Sequence, residues 1–270
     1  MSRVKVAVSL DATATIVLGS LAAIEPSEDV ELRNLDLAPW NCSMQNEGTA
    51  KSQEARERNR VKNRWLVNLS GFAVEYVDTA SFLKKIREYD LRIQGKRRGD
   101  LTAAQREELD DCENRIVSLT GWLVLAYAGP PETTNCGDET FHDCHLEIFE
   151  KPGDHAPQVG DPTPIICEIT PRTERIIYRE GVRIQSLAGF FRLQDASYRA
   201  TGHAAQKVRV TGYLMWDDQH NSSAEIGSTI QRFGRNGLHQ PWRSTAWEIH
   251  PVMKLRRSET EACSGGVFPS

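Results

Sequence analysis

The chain has 270 residues, a formal net charge of −4, 39% hydrophobic residues and 26% charged residues. This composition is typical of a globular protein, and the negative net charge excludes a general affinity for nucleic acid, so that phosphate binding would require a local basic patch. No apolar run reaches the roughly 18 residues of a membrane span, so we expect no membrane partner.

The N-terminus carries a weak signal-like pattern. Residues 1–5 are basic and residues 13–23 are mostly apolar or small, as in a secretion signal. Asp11 interrupts the apolar stretch, so we favour a retained segment and a cytoplasmic protein, with export as the alternative. Because residues 26–60 are polar and lack periodicity, we predict a poorly ordered or extended segment over residues 1–62.

Two helices are predicted next. Asp78 or Thr79 can cap a helix whose apolar residues recur at helical spacing through Ile93. A second helix begins at Thr102, because Gln105 completes a capping-box pattern. We expect these helices to form a helical hairpin within residues 63–116 that leads into a sheet.

The remaining pattern predicts strands. Apolar or alternating segments predict five strands, with a helix between Val182 and Leu193 separating the third strand from the fourth. This is the element order of an OB-type barrel. We therefore predict an α+β fold in which a five-stranded OB-like β-barrel over residues 117–256 follows the helical hairpin and precedes a tail at 257–270. The strands are expected at residues 121–127, 145–150, 164–170, 207–216 and 244–255.

Polar residues alternate along three of these strands. Residues i and i+2 of a strand share a face, so strand parity selects sets of side chains that point together. If the faces are aligned in one sheet, several carboxylates and two imidazoles converge on one surface, whereas His142 has the opposite parity. The sets are Asp143, His145 and Glu147; Glu168 and Thr170; and Glu248 and His250.

This surface is the candidate site. Imidazoles and carboxylates bind divalent metals and transfer protons, so we predict a divalent metal cofactor whose identity the pattern leaves open. Glu168 or Glu248 is the predicted general base, and Arg172 is predicted to contact an anion or stabilise developing negative charge. The predicted metal ligands are His145, Glu147, Asp217, His220 and His250.

A purely structural interpretation is nearly as strong. Alternating polar residues also form solvated sheet faces, and Glu168 has cross-sheet partners in Arg209 or Arg243. We expect His155, His203 and His239 to face solvent. The six cysteines include no C-x-x-C pair and are expected to be unreactive thiols, Cys136 among them.

Several segments carry a family resemblance. Thr134–Cys136, His142–Glu147, Cys167–Arg172, Thr211–His220 and Ser244–Val252 resemble a group of bacterial hypothetical proteins. That group has similar Asp-x-His, Glu-x-Thr-Pro-Arg, Gly-x-Leu-x-x-Asp-x-x-His and Trp-Glu-Ile-His-Pro segments. The resemblance covers about residues 117–255 and implies kinship without implying a reaction.

Three functions follow from these patterns. The first is a metal-dependent hydrolase, with phosphodiesters as the candidate substrates. The second is a non-catalytic OB-type module that binds nucleic acid, another oligomer or a protein, with Lys96–Arg98 and aromatic residues as its nucleic-acid contacts. The third is a structural metal site. The chain contains no P-loop, GxGxxG, GxSxG or HExxH motif, which argues against nucleotide triphosphate and standard serine-hydrolase chemistry.

Overall fold

The computed structural model describes residues 30–42, 46–64, 69–234 and 237–258. The signal-like segment and the last twelve residues, 259–270, lie outside the described residues. None of the described helices is long and apolar enough to cross a membrane. The helices are α1 (Gln53–Lys62), α2 (Thr79–Ile93), α3 (Ala103–Glu113) and α4 (Pro171–Arg179). The strands are β1 (Val74–Asp78), β2 (Ile116–Ala128), β3 (Cys144–Phe149), β4 (Ile165–Ile169), β5 (Phe190–Arg192), β6 (Tyr198–Ala200), β7 (Gln206–Trp216), β8 (Arg232–Phe233), β9 (His239–Gln240) and β10 (Trp247–Arg257).

Five long strands close into a barrel. β2 pairs antiparallel with β3 and β3 with β4, β4 pairs parallel with β10, and β10 pairs antiparallel with β7, which returns to β2. In chain order these are barrel strands one to five, and α4 separates the third from the fourth. This is the predicted α+β fold with an OB-like barrel, and the structure confirms it.

Strand parity separates an apolar face from a polar one. Leu146 pairs with Cys167, which pairs with Ile249, and all three side chains lie in the hydrophobic core. Trp216 and Trp247 are also paired and fully buried. Because successive side chains alternate, the neighbours of these residues point to the opposite face, where the polar site lies.

The predicted helical hairpin is present as α2 and α3. Asp78 accepts the Ser81 amide as the N-cap of α2, and Thr102 and Gln105 form the predicted capping box of α3. The apolar face of α2 packs into the core, with the Tyr89 ring 5.5 Å from the ring of Trp247. The short strand β1 adds a parallel partner to β2 beside this hairpin.

The prediction of a helix between Val182 and Leu193 was wrong. The helix is α4, which begins earlier because Pro171 occupies its first turn and Thr170 caps it. Gly181 adopts a positive φ of 85° just after the helix ends. The apolar residues that suggested a helix instead form a single 3₁₀ turn at Ile184–Ser186 and strand β5.

Part of the predicted N-terminal segment is packed against the barrel. Helix α1 is strongly polar, yet Arg58, Asn59 and Lys62 are buried. The expectation of six free thiols was wrong for two of them, because Cys42 and Cys136 form a disulfide across 94 residues of sequence. That pairing could not be expected from spacing alone. Among the described cysteines, Cys112, Cys144 and Cys167 are free.

Candidate metal centre

Three barrel strands bring their polar residues together. His145 on β3 places Nε2 3.0 Å from Glu168 Oε1 on β4, and His250 on β10 places Nδ1 2.9 Å from Glu168 Oε2. All three side chains are buried although none belongs to the apolar core. The convergence predicted from strand parity is therefore present, with Glu168 at its centre.

Asp143 completes the centre from the end of the loop before β3. One ligand-type atom each from Asp143, Glu168 and His250 lies within 4.8 Å of the others. The Asn135 side-chain amide donates to Asp143 Oδ1 at 2.9 Å and so orients the carboxylate. Asp143 Oδ2 and His250 Nε2 are buried and have no hydrogen-bond partner among the described residues. Glu168 Oε2 and His145 Nδ1 also have no hydrogen-bond partner there, so four polar atoms of one cluster are unsatisfied by hydrogen bonds among the described residues, which in a native protein calls for an explanation.

A second layer of residues orients His250. Its Nδ1 forms a hydrogen bond with Glu248 Oε1 at 3.1 Å and lies 2.9 Å from Glu168 Oε2. Arg243 pairs with Glu248 and also with Asp217 Oδ2, at 3.1 Å from its Nη1. Since Nδ1 is held by carboxylates, Nε2 is the nitrogen left for a ligand, as in many metal-binding histidines.

Lys62, the last residue of α1, brings a cation into the cluster. Its ammonium lies 3.0 Å from Glu132 Oε2 and 3.8 Å from Glu168 Oε2. Burial lowers the pKa of Lys62, but the carboxylates of Glu132, Glu168, Asp217 and Glu248 raise it well above its ordinary value. Lys62 is therefore a permanent positive charge.

The same charges set the protonation of the other groups. Burial raises the pKa of Asp143 to about 6. Burial lowers the pKa of His250, but Glu168 outweighs it and raises that pKa to about 10. Burial also raises the pKa of Glu168, yet His145, Lys62 and His250 hold it well below its usual range. The metal-free centre thus contains an imidazolium at His250, which a metal would have to deprotonate.

His145 connects the centre to a surface cleft of about 880 Å³. Its ring stacks on Tyr127 with centroids 4.8 Å apart, and its Nε2 contacts Glu168. A side chain at Gly129 would not fit, because a Cβ there would lie 2.7 Å from His145 Cε1. His145 is therefore placed to pass a proton between Glu168 and a molecule in the cleft.

The other predicted ligands lie apart from this group. Glu147 Oε2 is 3.0 Å from His239 Nε2, and both side chains are fully buried, so the expectation that His239 faces solvent was wrong. Glu147 has the predicted parity but finds this partner on β9. His220 pairs with Glu225 at 2.7 Å and is partly exposed, because the turn after β7 directs it toward the cleft. Asp217 reaches the centre through Arg243 rather than as a direct neighbour.

Arg172 lies beside the centre. Its Nη1 donates to Asn63 Oδ1 at 2.6 Å, and its guanidinium stacks 4.5 Å above the ring of Trp40. Burial lowers the pKa of Arg172 to about 10, although the negative charge of Asp143 partly offsets this by raising the pKa. The guanidinium therefore stays charged at neutral pH and faces the centre, although it is not among the metal-ligand group.

Several residues of the centre were missed from the sequence. Asp143 was identified by parity but was not included among the expected ligands. Lys62 gave no signal because α1 is polar on all sides, and Asn135 lies in a loop whose conformation the sequence does not specify. Arg243 was considered only as a partner of Glu168, whereas it pairs with Glu248 and Asp217.

The basic and aromatic residues considered for nucleic-acid contacts are engaged elsewhere. Arg98 is buried and pairs with Glu113, while Arg97 donates to the Asp218 carbonyl at 2.6 Å. Trp216 lies in the core. The protein-family models, the curated proteins and the solved structures to which the chain was compared gave no match.

Proposed function

We propose that the protein is a metal-dependent hydrolase whose centre binds one divalent cation through Asp143, Glu168 and His250. The proposal rests on two buried atoms without hydrogen-bond partners, Asp143 Oδ2 and His250 Nε2. They belong to a group of three residues that each offer one ligand-type atom within 4.8 Å of the others. Buried polar atoms without partners are destabilising, and a bound cation is the ligand that would satisfy an oxygen and an imidazole nitrogen together.

The donor set fits a divalent metal. Two carboxylates and one imidazole suit Zn²⁺ or Mn²⁺, and the Glu248 carboxylate behind His250 is the outer partner that fixes a ligating histidine. A cation bound here would lower the pKa of a coordinated water and polarise a substrate oxygen. Arg243 and Asn135 hold Glu248 and Asp143 in place, so the ligands are oriented without the metal.

The neighbouring residues supply the remaining parts of a hydrolytic site. His145 contacts Glu168 and lines the cleft, so it is the proposed proton carrier between the two. Arg172 is the proposed contact for an anionic group on the substrate, because its charge is fixed beside the centre by Asn63 and Trp40. Phosphodiesters remain the candidate substrate class on the strength of this arginine.

A non-catalytic binding module is the second candidate, and the position of the site favours it. OB-type barrels bind oligomers on the face of strands two and three and at the loops that follow strands one and four. His145 and Glu168 lie on those strands. The cleft beside them is lined by three carboxylates and one arginine, a charge balance that argues against a polyanionic nucleic-acid strand as the ligand, whereas a single phosphodiester needs only the contact proposed for Arg172. These residues are Glu132, Glu139, Glu225 and Arg192.

Elemental analysis of the purified protein tests the proposal directly. We expect close to one equivalent of a divalent metal per chain, or uptake of one equivalent of Zn²⁺ or Mn²⁺ after chelation, with release of protons. The metal-loaded protein should hydrolyse bis(p-nitrophenyl) phosphate, and the chelated protein should not. Absence of metal together with no uptake would overturn the proposal, whereas metal uptake without hydrolysis of any tested ester would favour a structural or binding role.

Two variants and a matched control locate the metal. His250→Gln and Asp143→Asn should each weaken metal binding by at least 100-fold, because each removes one of three ligands. His155→Gln is the control, since His155 also contacts carboxylates, at 3.4 Å from Asp154 and 3.6 Å from Asp161, but is substantially exposed and is not part of the three-ligand group. Equal metal affinity in all three variants would place the metal elsewhere.

A further inference from the structure

Lys62 occupies an unusual position for a lysine. Its ammonium is buried at the end of α1 and lies between two carboxylates from different elements, 3.0 Å from Glu132 Oε2 and 3.8 Å from Glu168 Oε2. Its side chain is 6% exposed, so water does little to offset the charge. A buried ammonium is stable only where carboxylates compensate it, and here Asp217 and Glu248 add to the two close partners.

This arrangement resembles one half of a two-metal centre. Such centres hold two cations about 3.5–4 Å apart and usually share a carboxylate between them. Glu168 is the residue in the shared position, because it belongs to the three-ligand group with Asp143 and His250 and also faces Lys62. Glu132 then takes the place of the outer ligand of the second cation.

We propose that Lys62 is the built-in second cation of this centre, which therefore binds one metal ion and not two. The inference rests on the proposed metal site. A lysine ammonium is a compact charge with three donors, so it can neutralise two carboxylates as a metal would. Unlike a metal, it cannot dissociate, and it offers no coordination position for water. A metal held by Asp143, Glu168 and His250 would supply activation of water, and Lys62 would stabilise negative charge that develops on its side of Glu168.

The structure also shows why the lysine is held at this point. The neighbouring Asn63 donates from Nδ2 to Asn46 O and to Thr134 O, both at 3.0 Å, and thereby fixes the end of α1 against the loop that carries Glu132. The disulfide at Cys136 anchors the same loop. An ion pair that only joined α1 to the loop would involve Lys62 and Glu132 alone. The Lys62 ammonium also lies 3.8 Å from Glu168, and a cation that belongs to the centre requires this second contact.

The test counts metal ions per chain by elemental analysis and native mass spectrometry, at saturating Mn²⁺ and again at saturating Zn²⁺. We expect one ion in the wild type, two in Lys62→Met and one in Lys62→Arg, which keeps the charge. Lys85→Met is the matched control, because Lys85 also pairs with a glutamate, Glu75, but on the surface. It should bind one ion.

Each outcome decides a separate point. No metal in the wild type would overturn the proposed function itself. Two ions in the wild type, or one ion in a folded Lys62→Met variant, would overturn the role of Lys62 and leave the metal site intact. If Lys62→Met folds only when metal is added, with two ions bound, the proposal is supported. Failure to fold at any metal concentration counts against it, because a second metal should replace the lost charge.

Discussion

Two buried groups of charged residues differ in how completely their carboxylate oxygens are matched by hydrogen bonds. The first is the candidate metal centre around Glu168. The second, the Arg98 cluster, consists of Arg58, Arg98, Glu113 and Asp218. Arg98 pairs both Nη atoms with Glu113, at 2.9 and 2.6 Å, and also donates to the Trp216 carbonyl at 2.7 Å. Glu113 in turn accepts the Trp216 amide at 2.9 Å.

The difference lies in the carboxylates, which are fully hydrogen-bonded in the Arg98 cluster and incompletely hydrogen-bonded in the candidate metal centre. In the Arg98 cluster both oxygens of Glu113 and of Asp218 accept hydrogen bonds, and Arg58 adds a second arginine at 3.3 Å from Asp218. Arg98 Nε makes no hydrogen bond, but it lies 3.3 Å from Asp218 Oδ1. In the metal centre Asp143 and His250 each keep one unpartnered atom. Burial alone therefore does not identify a functional site, and the unmatched carboxylate and imidazole atoms of one converging group are what single out the candidate centre.

The largest expected effect is on the Arg98 cluster. Arg98→Met should lower the free energy of unfolding by about 3–5 kcal/mol, because it leaves Glu113 and Asp218 buried without their main partner. Urea denaturation would measure the loss. Arg106→Met is the control, since Arg106 is 40% exposed and lies 3.5 Å from Glu57, and it should change stability by less than about 1 kcal/mol. Metal affinity should be unchanged in both variants.

In the candidate metal centre, removal of a buried charge should stabilise the metal-free protein, whereas in the Arg98 cluster it should destabilise the fold. In metal-free protein, Asp143→Asn is expected to stabilise the fold by an amount on the order of 2 kcal/mol at pH 8 and by little at pH 3.5. The folded pKa of Asp143, about 6, is raised above its ordinary value of 3.8, so ionisation is harder in the folded state than in the unfolded one. The destabilisation therefore grows as pH rises from 3.8 to about 6 and persists above that.

Thermal denaturation of chelated protein across this pH range measures the effect. Added metal should reverse it, because the wild type gains stability from the bound ion and the variant does not. A loss of stability in Asp143→Asn at pH 8 without metal would show that the Asp143 carboxylate is a structural group like those of the Arg98 cluster.

The same contrast explains what the sequence could and could not predict. Strand parity correctly united His145, Glu168 and His250, because alternation is a local property that the barrel preserves. Lys62 and Asn135 were missed because they reach the centre from a helix and a loop, and their positions depend on tertiary packing. His239 was misjudged for the same reason: its turn-like surroundings gave no indication of the buried partner Glu147 on β3.

An intermediate effect is expected from the loop that orients Asp143. Asn135→Ala removes the amide that donates to Asp143 Oδ1 at 2.9 Å, so the carboxylate loses its fixed orientation. Metal affinity should fall about tenfold, at the lower end of the range for outer partners of metal ligands. Competition with a fluorescent zinc chelator measures this. Asn34→Ala, which removes an exposed contact to Arg179, is the control and should leave affinity unchanged.

The smallest effect should come from His220, one of the ligands predicted from the sequence. His220→Ala removes an imidazole that lies 2.7 Å from Glu225 and packs against Trp242 with ring centroids 4.9 Å apart. Because its side chain is 45% exposed, the ion pair contributes less than about 1 kcal/mol, and metal affinity should change by less than about twofold. Isothermal titration with Zn²⁺ measures the affinity.

A loss of affinity comparable to that of His250→Gln would mean that the turn after β7 moves His220 into the centre when metal binds, so that His220 is a further metal ligand. No change would confine the ligands to the strand face and its adjoining loop, and would leave His220 as a residue that lines the cleft.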